Sequence, residues 1–183
     1  MSIRRITGAE FALLTPRLVD LYIDAMDYHP SIRDSRIQSW KRDLLKPGFT
    51  GVIATTADEV IGVAYGFLGR PEHWWDHQLQ RGMREQRVPD ATQNSIRSGY
   101  FEVAEIHVHP DRQGNGLGRR LISELLWNAP ATLALLSTPE VDGEANSAFG
   151  LYRSLGFTDV LRQFRYPGDD RPFAVLRRDL PLD

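Results

Sequence analysis

The period of hydrophobic positions changes several times along the chain, and each change marks an element. Thr15-Pro16 reads as a helix N-cap followed by proline at the first helical position. Leu18, Tyr22, Ala25 and Met26 then repeat at helical spacing until Pro30, and a second helix is expected from Ser31 to Leu45. From Thr50 the pattern turns β-rich. Residues Thr50 to Thr56 and Val60 to Leu68 predict an antiparallel hairpin across Ala57-Asp58-Glu59. A polar stretch from Gly69 to Gly99 follows, with a helix expected from Trp74 to Arg87 and then a loop. Tyr100 to Val108 reads as a strand. Leu117, Leu121, Ile122, Leu125 and Leu126 mark one face of a helix, with Arg119, Arg120, Ser123 and Glu124 opposite. Thr132 to Thr138 is apolar enough for a buried strand. Ala145, Ala148, Phe149 and Tyr152 form a helical stripe that ends before Gly156, a suitable C′ glycine. Val160 to Tyr166 and Phe173 to Leu180 are the last two strands. With a strand ahead of the first helix, the order predicts an α/β or α+β fold around a mixed sheet of about seven strands.

Composition narrows the function. The chain has 183 residues, 42% hydrophobic and 25% charged, which is globular. A domain of this length buries about 70% of its unfolded surface and needs no metal or disulfide to hold a core. It has no cysteine, which excludes a disulfide scaffold, a thiolate metal site and a cysteine nucleophile. A net charge of −2 argues against general nucleic-acid binding. The opening MSIRRITGAEF lacks a long apolar stretch, and no apolar run approaches the roughly 20 residues of a membrane span. The expected location is therefore the cytoplasm, without a membrane partner.

The most informative stretch is Arg112-Gln113-Gly114-Asn115-Gly116-Leu117-Gly118-Arg119, between a strand and a helix. Glycines let a backbone approach a ligand closely, and the open amides of a helix start suit a phosphate. A tight loop without a ligand is the plainer reading of the glycines alone. A P-loop is excluded because Arg119, not lysine followed by serine or threonine, follows Gly118. The dinucleotide fingerprint also fails: Arg119 or Leu121 occupies the place of its third glycine, and the loop comes late in the chain.

Two blocks resemble the GNAT superfamily of acetyl-CoA-dependent N-acetyltransferases. Gln113-Gly114-Asn115-Gly116-Leu117-Gly118, after the fourth strand, is similar to that family's Q/R-x-x-G-x-G/A signature. Asn146 to Phe157 is similar to its N-x-x-A/G-x-x-x-Y-x-x-x-G-F helix, with Ala148, Tyr152, Gly156 and Phe157 in register and the asparagine one residue closer, and the element order agrees across nearly the whole chain. The resemblance implies a single domain over 1–183, with residues 70–99 as an insertion between the third and fourth strands. It implies that Gln113, Gly114, Asn115, Gly116, Leu117, Gly118 and Arg119 cradle the pyrophosphate of acetyl-CoA, with Arg120 adding charge. Ile106, His107 and Val108 would lie along the pantetheine arm, the Val108 amide would face the thioester carbonyl, and Asn146 would hold the arm from the other side. No metal is implied.

An amine must lose a proton to attack, so a base is expected. Glu102 and Glu105 both qualify by resemblance. They stand three apart and so point to opposite faces of a regular strand. Glu105 is favoured narrowly for its closeness to the thioester; an ion pair at the sheet end is the alternative for either. Tyr152 holds the family's tyrosine position and would protonate the leaving thiolate, the alternative being an aromatic packed on its helix. His107 and His109, and His73 and His77, are expected to be structural or exposed rather than metal ligands. Trp74 and Trp75 are expected to pack the insertion, and Arg162, Arg165, Arg171, Arg177 and Arg178 to line a solvated sheet edge. The expected reaction is direct acetyl transfer in a ternary complex to a small-molecule amine. A protein or peptide amine, and a non-catalytic acyl-CoA-binding regulator, are the alternatives. The resemblance also makes a homodimer a frequent state.

Overall fold

The computed structural model describes residues 1–57 and 59–182. Asp58, in the expected hairpin turn, lies outside the described residues. Among the described residues, seven strands form one mixed sheet in the order β1-β2-β3-β4-β5-β7-β6. The chain divides into two compact units, the first comprising Met1–Phe67 and Val103–Asn128, the second Leu68–Glu102 and the residues from Ala129 onward.

The first unit begins with β1 (Ser2–Ile6) and α1 (Gly8–Met26). This helix starts eight residues before the position that Thr15-Pro16 suggested. Thr7 is the cap, its hydroxyl accepting the Glu10 amide at 3.1 Å. Pro16 is carried inside the helix. Thr15 is fully buried and donates its hydroxyl back to the Phe11 carbonyl at 2.7 Å. Burial of Phe11 against Trp40, Phe49 and Tyr65 outweighs the hydrogen bond that Pro16 removes. The chain leaves α1 through Asp27 in the left-handed region, and Pro30 opens a short 3-10 turn, not the helix stop itself. α2 (Arg33–Asp43) follows.

β2 (Thr50–Thr56) and β3 (Glu59–Leu68) pair antiparallel, Ile53 opposite Val63. Most of β4 (Phe101–Val108) and all of α5 (Leu117–Leu126) complete this unit. The five apolar residues expected on one face of α5 are all buried. Its aromatic core joins Phe11, Tyr22, Trp40, Tyr65 and Phe67 with Leu18, Val19, Ile53 and Val63.

The second unit holds α3 (Trp74–Glu85), α4 (Asp90–Arg97), β5 (Leu133–Pro139), α6 (Ser147–Ser154), β6 (Thr158–Phe164) and β7 (Phe173–Asp179). α4 corrects the loop expected after residue 87. It is too short for a period to show, and it is held by burial of Gln93 and Ile96 and by Gln93 donating to the Val88 carbonyl. α3 lies against β6 through Gly82, where an added Cβ would meet Leu161 at 2.4 Å and Phe164 at 2.9 Å. β5 pairs antiparallel with β7, and β7 with β6. The first two residues of β4 pair in parallel with β5, Phe101 opposite Ala134 and Glu102 opposite Leu135.

Candidate active site

In the first unit, β4 runs into the glycine loop through a braced turn. Pro110–Arg112 is a 3-10 turn whose Asp111 amide donates to the His109 ring. The Gln113 amide donates to the Pro110 carbonyl, and its side chain reaches back to the Val108 carbonyl at 3.1 Å. Gln113 thus fixes the loop to the strand end. Asn115 donates to the Gln113 carbonyl at 3.2 Å. Gly114 (φ +75°) and Gly116 (φ +72°) are both left-handed, and among the described residues no atom beyond the chain neighbours lies within 4 Å of where a Cβ would stand. Gly116 is the N-cap of α5 and has no side chain to satisfy the helix start. The first intrahelical bond of α5 comes from the Arg120 amide, so the Leu117 and Gly118 amides precede the ladder. Open space, a bare N-cap and a helix dipole together suit a phosphate.

Also in this unit, Glu105 and His107 share one face of β4. His107 Nε2 lies 2.6 Å from Glu105 Oε2. His107 is 8% exposed and Glu105 is partly buried. The Trp40 ring is near-parallel to the imidazole, at 14° and 6.3 Å between centroids, and Tyr22 meets it edge-on at 4.8 Å. The Trp40 indole nitrogen is buried and has no hydrogen-bond partner among the described residues. Ile106 and Val108, of intermediate burial, alternate with this pair along the strand.

In the second unit, Glu102 occupies a buried polar neighbourhood. Tyr100 donates to Asp76 at 3.0 Å, and both residues are buried. The Tyr100 phenol is pushed far above its ordinary value, by burial first and then by the charges of Glu102 and Asp76. Tyr166 is pushed up to about 12, mainly by burial, with Glu102 adding and hydrogen bonds to Ser137 and Trp75 opposing. Trp75 donates its indole N–H to the Tyr166 oxygen at 2.9 Å, and Tyr166 donates to Ser137 at 2.8 Å. Trp75 packs as expected; Trp74 is exposed.

Asn146 caps α6, its side-chain oxygen accepting the Phe149 amide at 2.8 Å. The preceding loop is pinned by ion pairs. Arg162 holds Glu140 through two bonds of 3.0 and 3.1 Å and also reaches Glu144; Arg153 joins Glu144 and Asp159. These guanidinium groups hold the Glu140 and Glu144 carboxyls below their usual range. Tyr152 is buried on α6 near Phe157, and Gly156 (φ +78°) ends the helix. Of the histidines expected to be structural, His73 stands at the N-cap position of α3 without a capping side-chain bond, and the His109 ring caps its turn. No group of three or more metal-ligand side chains forms among the described residues.

The description "Acetyltransferase (GNAT) domain" matches residues 48–159. The chain belongs to the GNAT acetyltransferase family. A GCN5-like protein acetyltransferase of Mycobacterium tuberculosis is 36% identical, covering 88% of this chain and 89% of that protein. An N-alpha-acetyltransferase of the same organism is 42% identical over 82 residues, 43% of this chain and 49% of that protein. Among solved structures, an aminoglycoside 6′-N-acetyltransferase complexed with coenzyme A superposes with a TM-score of 0.66 at 16% identity, covering 100% of this chain and 99% of that one. This GNAT chain is accordingly an acyltransferase, with acetyl-CoA as the donor of its family.

The bond between Glu105 and His107, the Trp40 and Tyr22 walls, and the Asp76–Tyr100 pair were not anticipated from sequence. The first had a signal: residues two apart on a strand share a face.

Proposed function

We propose that this GNAT enzyme transfers the acetyl group of acetyl-CoA to a primary amine carried by a protein or peptide, by direct attack in a ternary complex, with Glu105 as the base. The observation that carries the chemistry is the Glu105 carboxylate, partly buried and held on β4 three residues before Val108, where the strand gives way to the glycine loop. Support for a protein acceptor comes from the relative named a protein acetyltransferase, which aligns along most of both chains.

Acetyl-CoA supplies an activated thioester. The open side of Gly114 and Gly116 and the bare start of α5 fit its pyrophosphate. Gly114, Asn115, Gly116, Leu117, Gly118 and Arg119 would hold that group, with Gln113 bracing the loop and Arg120 adding charge. The backbone of Ile106, His107 and Val108 is assigned to the pantetheine arm, with the Val108 amide on the thioester carbonyl. Glu105 takes the amine proton as the new N–C bond forms and the C–S bond breaks. The role of Tyr152 as proton donor to the leaving thiolate rests on the motif it completes; Asn146, assigned to the arm, stands one residue nearer the tyrosine than that motif's asparagine. Glu102, among buried phenols and Asp76, is the less suited base.

The test is coenzyme A thiol release with lysine peptides, N-terminal peptides, polyamines and aminoglycosides. Turnover confined to peptides supports the proposal; turnover confined to small amines replaces the acceptor class. Tight acyl-CoA binding with no turnover on any amine favours a regulator. Within the enzyme reading, Tyr152→Phe keeps coenzyme A affinity and lowers kcat, the signature of an interaction made in the transition state. Unchanged turnover removes Tyr152 from the reaction.

A further inference from the structure

We propose that His107 is a positioning residue for Glu105, an inference that rests on Glu105 being the base. A glutamate side chain has several staggered rotamers, and a base must stay within hydrogen-bond reach of the proton it takes. An ionised carboxylate only accepts, so the 2.6 Å contact places a proton on His107 Nε2 that is donated to Glu105 Oε2. One oxygen is thereby fixed, and the other is left to receive the amine proton.

The imidazole is itself held. Trp40 lies near-parallel to it and Tyr22 closes it edge-on, with both walls almost fully buried. Tyr22 is in turn packed by Tyr28 at 5.4 Å and covered by the Arg36 guanidinium at 5.4 Å. At 8% exposure His107 has little access to water, so water is a poor substitute for the bond to Glu105. A histidine present only to fill the core needs none of this directionality, and the two roles diverge under substitution.

His107→Phe keeps a ring between Trp40 and Tyr22 but removes the donor. His107→Gln keeps a side-chain N–H and removes the ring. Both are assayed in the full chain with acetyl-CoA and the best amine of the screen, beside thermal midpoints. Positioning predicts that Phe lowers kcat by about 10- to 100-fold, the scale of a misplaced catalytic group, with KM for acetyl-CoA unchanged. Gln then recovers most of that loss. A core role predicts the reverse order, Phe near the parent and Gln impaired in step with its stability, and that result overturns the proposal. In a Glu105→Gln background His107→Phe should add no further loss; an independent tenfold drop also overturns it. Full activity of Glu105→Gln by itself removes the base and the positioning role together, whereas loss in Glu105→Gln with an unaffected His107→Phe removes the positioning role alone. A readout independent of any amine is the 13C resonance of the Glu105 carboxyl at fixed pH. It should move in His107→Phe, and an unmoved resonance refutes the bond.

Discussion

Gly116→Ala separates a ligand cradle from a merely tight turn. Gly116 has φ +72° and, among the described residues beyond its chain neighbours, nothing within 4 Å of a Cβ, so alanine there meets no side chain or backbone packed against it. It carries only the cost of a left-handed L-residue, about 1–2 kcal/mol. Gly168, in the turn between β6 and β7, has φ +82° and equally open surroundings. Gly168→Ala should therefore lose the same stability, a fall of about 2–8 °C at roughly 2–4 °C per kcal/mol for a chain of this size. The two differ in what fills the open space when coenzyme A binds. Coenzyme A at 100 times its Kd adds about 2.7 kcal/mol, a rise of about 5–11 °C. If the methyl group of Gly116→Ala stands where the pyrophosphate approaches and weakens binding about 100-fold, the same concentration adds only about 0.4 kcal/mol, close to 1 °C. Differential scanning fluorimetry of parent and both variants, with and without coenzyme A, makes the comparison. A coenzyme A shift equal in the two variants would refute the cradle, because strain is common to both.

Gly82→Ala should destabilise the second unit although alanine favours helix by about 1 kcal/mol. The added methyl meets Leu161 at 2.4 Å and the Phe164 ring at 2.9 Å, both buried, and overpacking costs about 1–3 kcal/mol; an unchanged or raised thermal midpoint would show that β6 yields freely. Glu140→Gln should cost about 1.5–3 kcal/mol, since the Glu140 side chain is 5% exposed and takes two bonds from Arg162. Its carboxyl is depressed below the usual range, so its stabilisation is complete above the unfolded value of about 4.3 and is lost as pH falls through the folded value. Urea titrations should show the gap between parent and variant narrowing below about pH 4, and a constant gap would contradict the charge-based account.

Much of the architecture was legible because local rules and burial agree. The apolar face of α5 follows its period, β2 keeps its expected bounds, and α6 ends before Gly156 as the sequence indicates; its start was not legible, since Ala145, placed on the helical stripe, lies in the preceding turn and Asn146 is the cap. The start of α1 was not legible, since Thr15-Pro16 carries a stronger local signal than Thr7. What decides it is the burial of Phe11, and the aromatic partners of that ring lie far along the chain. α4 failed for a similar reason, its two buried positions being too few to display a period. At the site, the glycine loop could be read because its conformation is local. The surroundings of His107 could not, because Tyr22 and Trp40 arrive from two helices distant in sequence. Trp75 likewise gained its Tyr166 partner across 91 positions.

The two outer strands of the sheet bear on colloidal behaviour. β1 is one border, and its two arginines are occupied: Arg4 with Glu10, and Arg5 with Glu124 and the Trp127 carbonyl. β6 is the other, and its pairing with β7 slips twice, between Asp159 and Leu161 and again before Phe164, with Gln163 at φ +51°. A charged border and a kinked one are the two usual defences against strand addition by a neighbouring chain. Crowded or concentrated solutions should therefore not drive this protein into sheet-extended aggregates, and self-association has to recruit helical or loop surfaces instead.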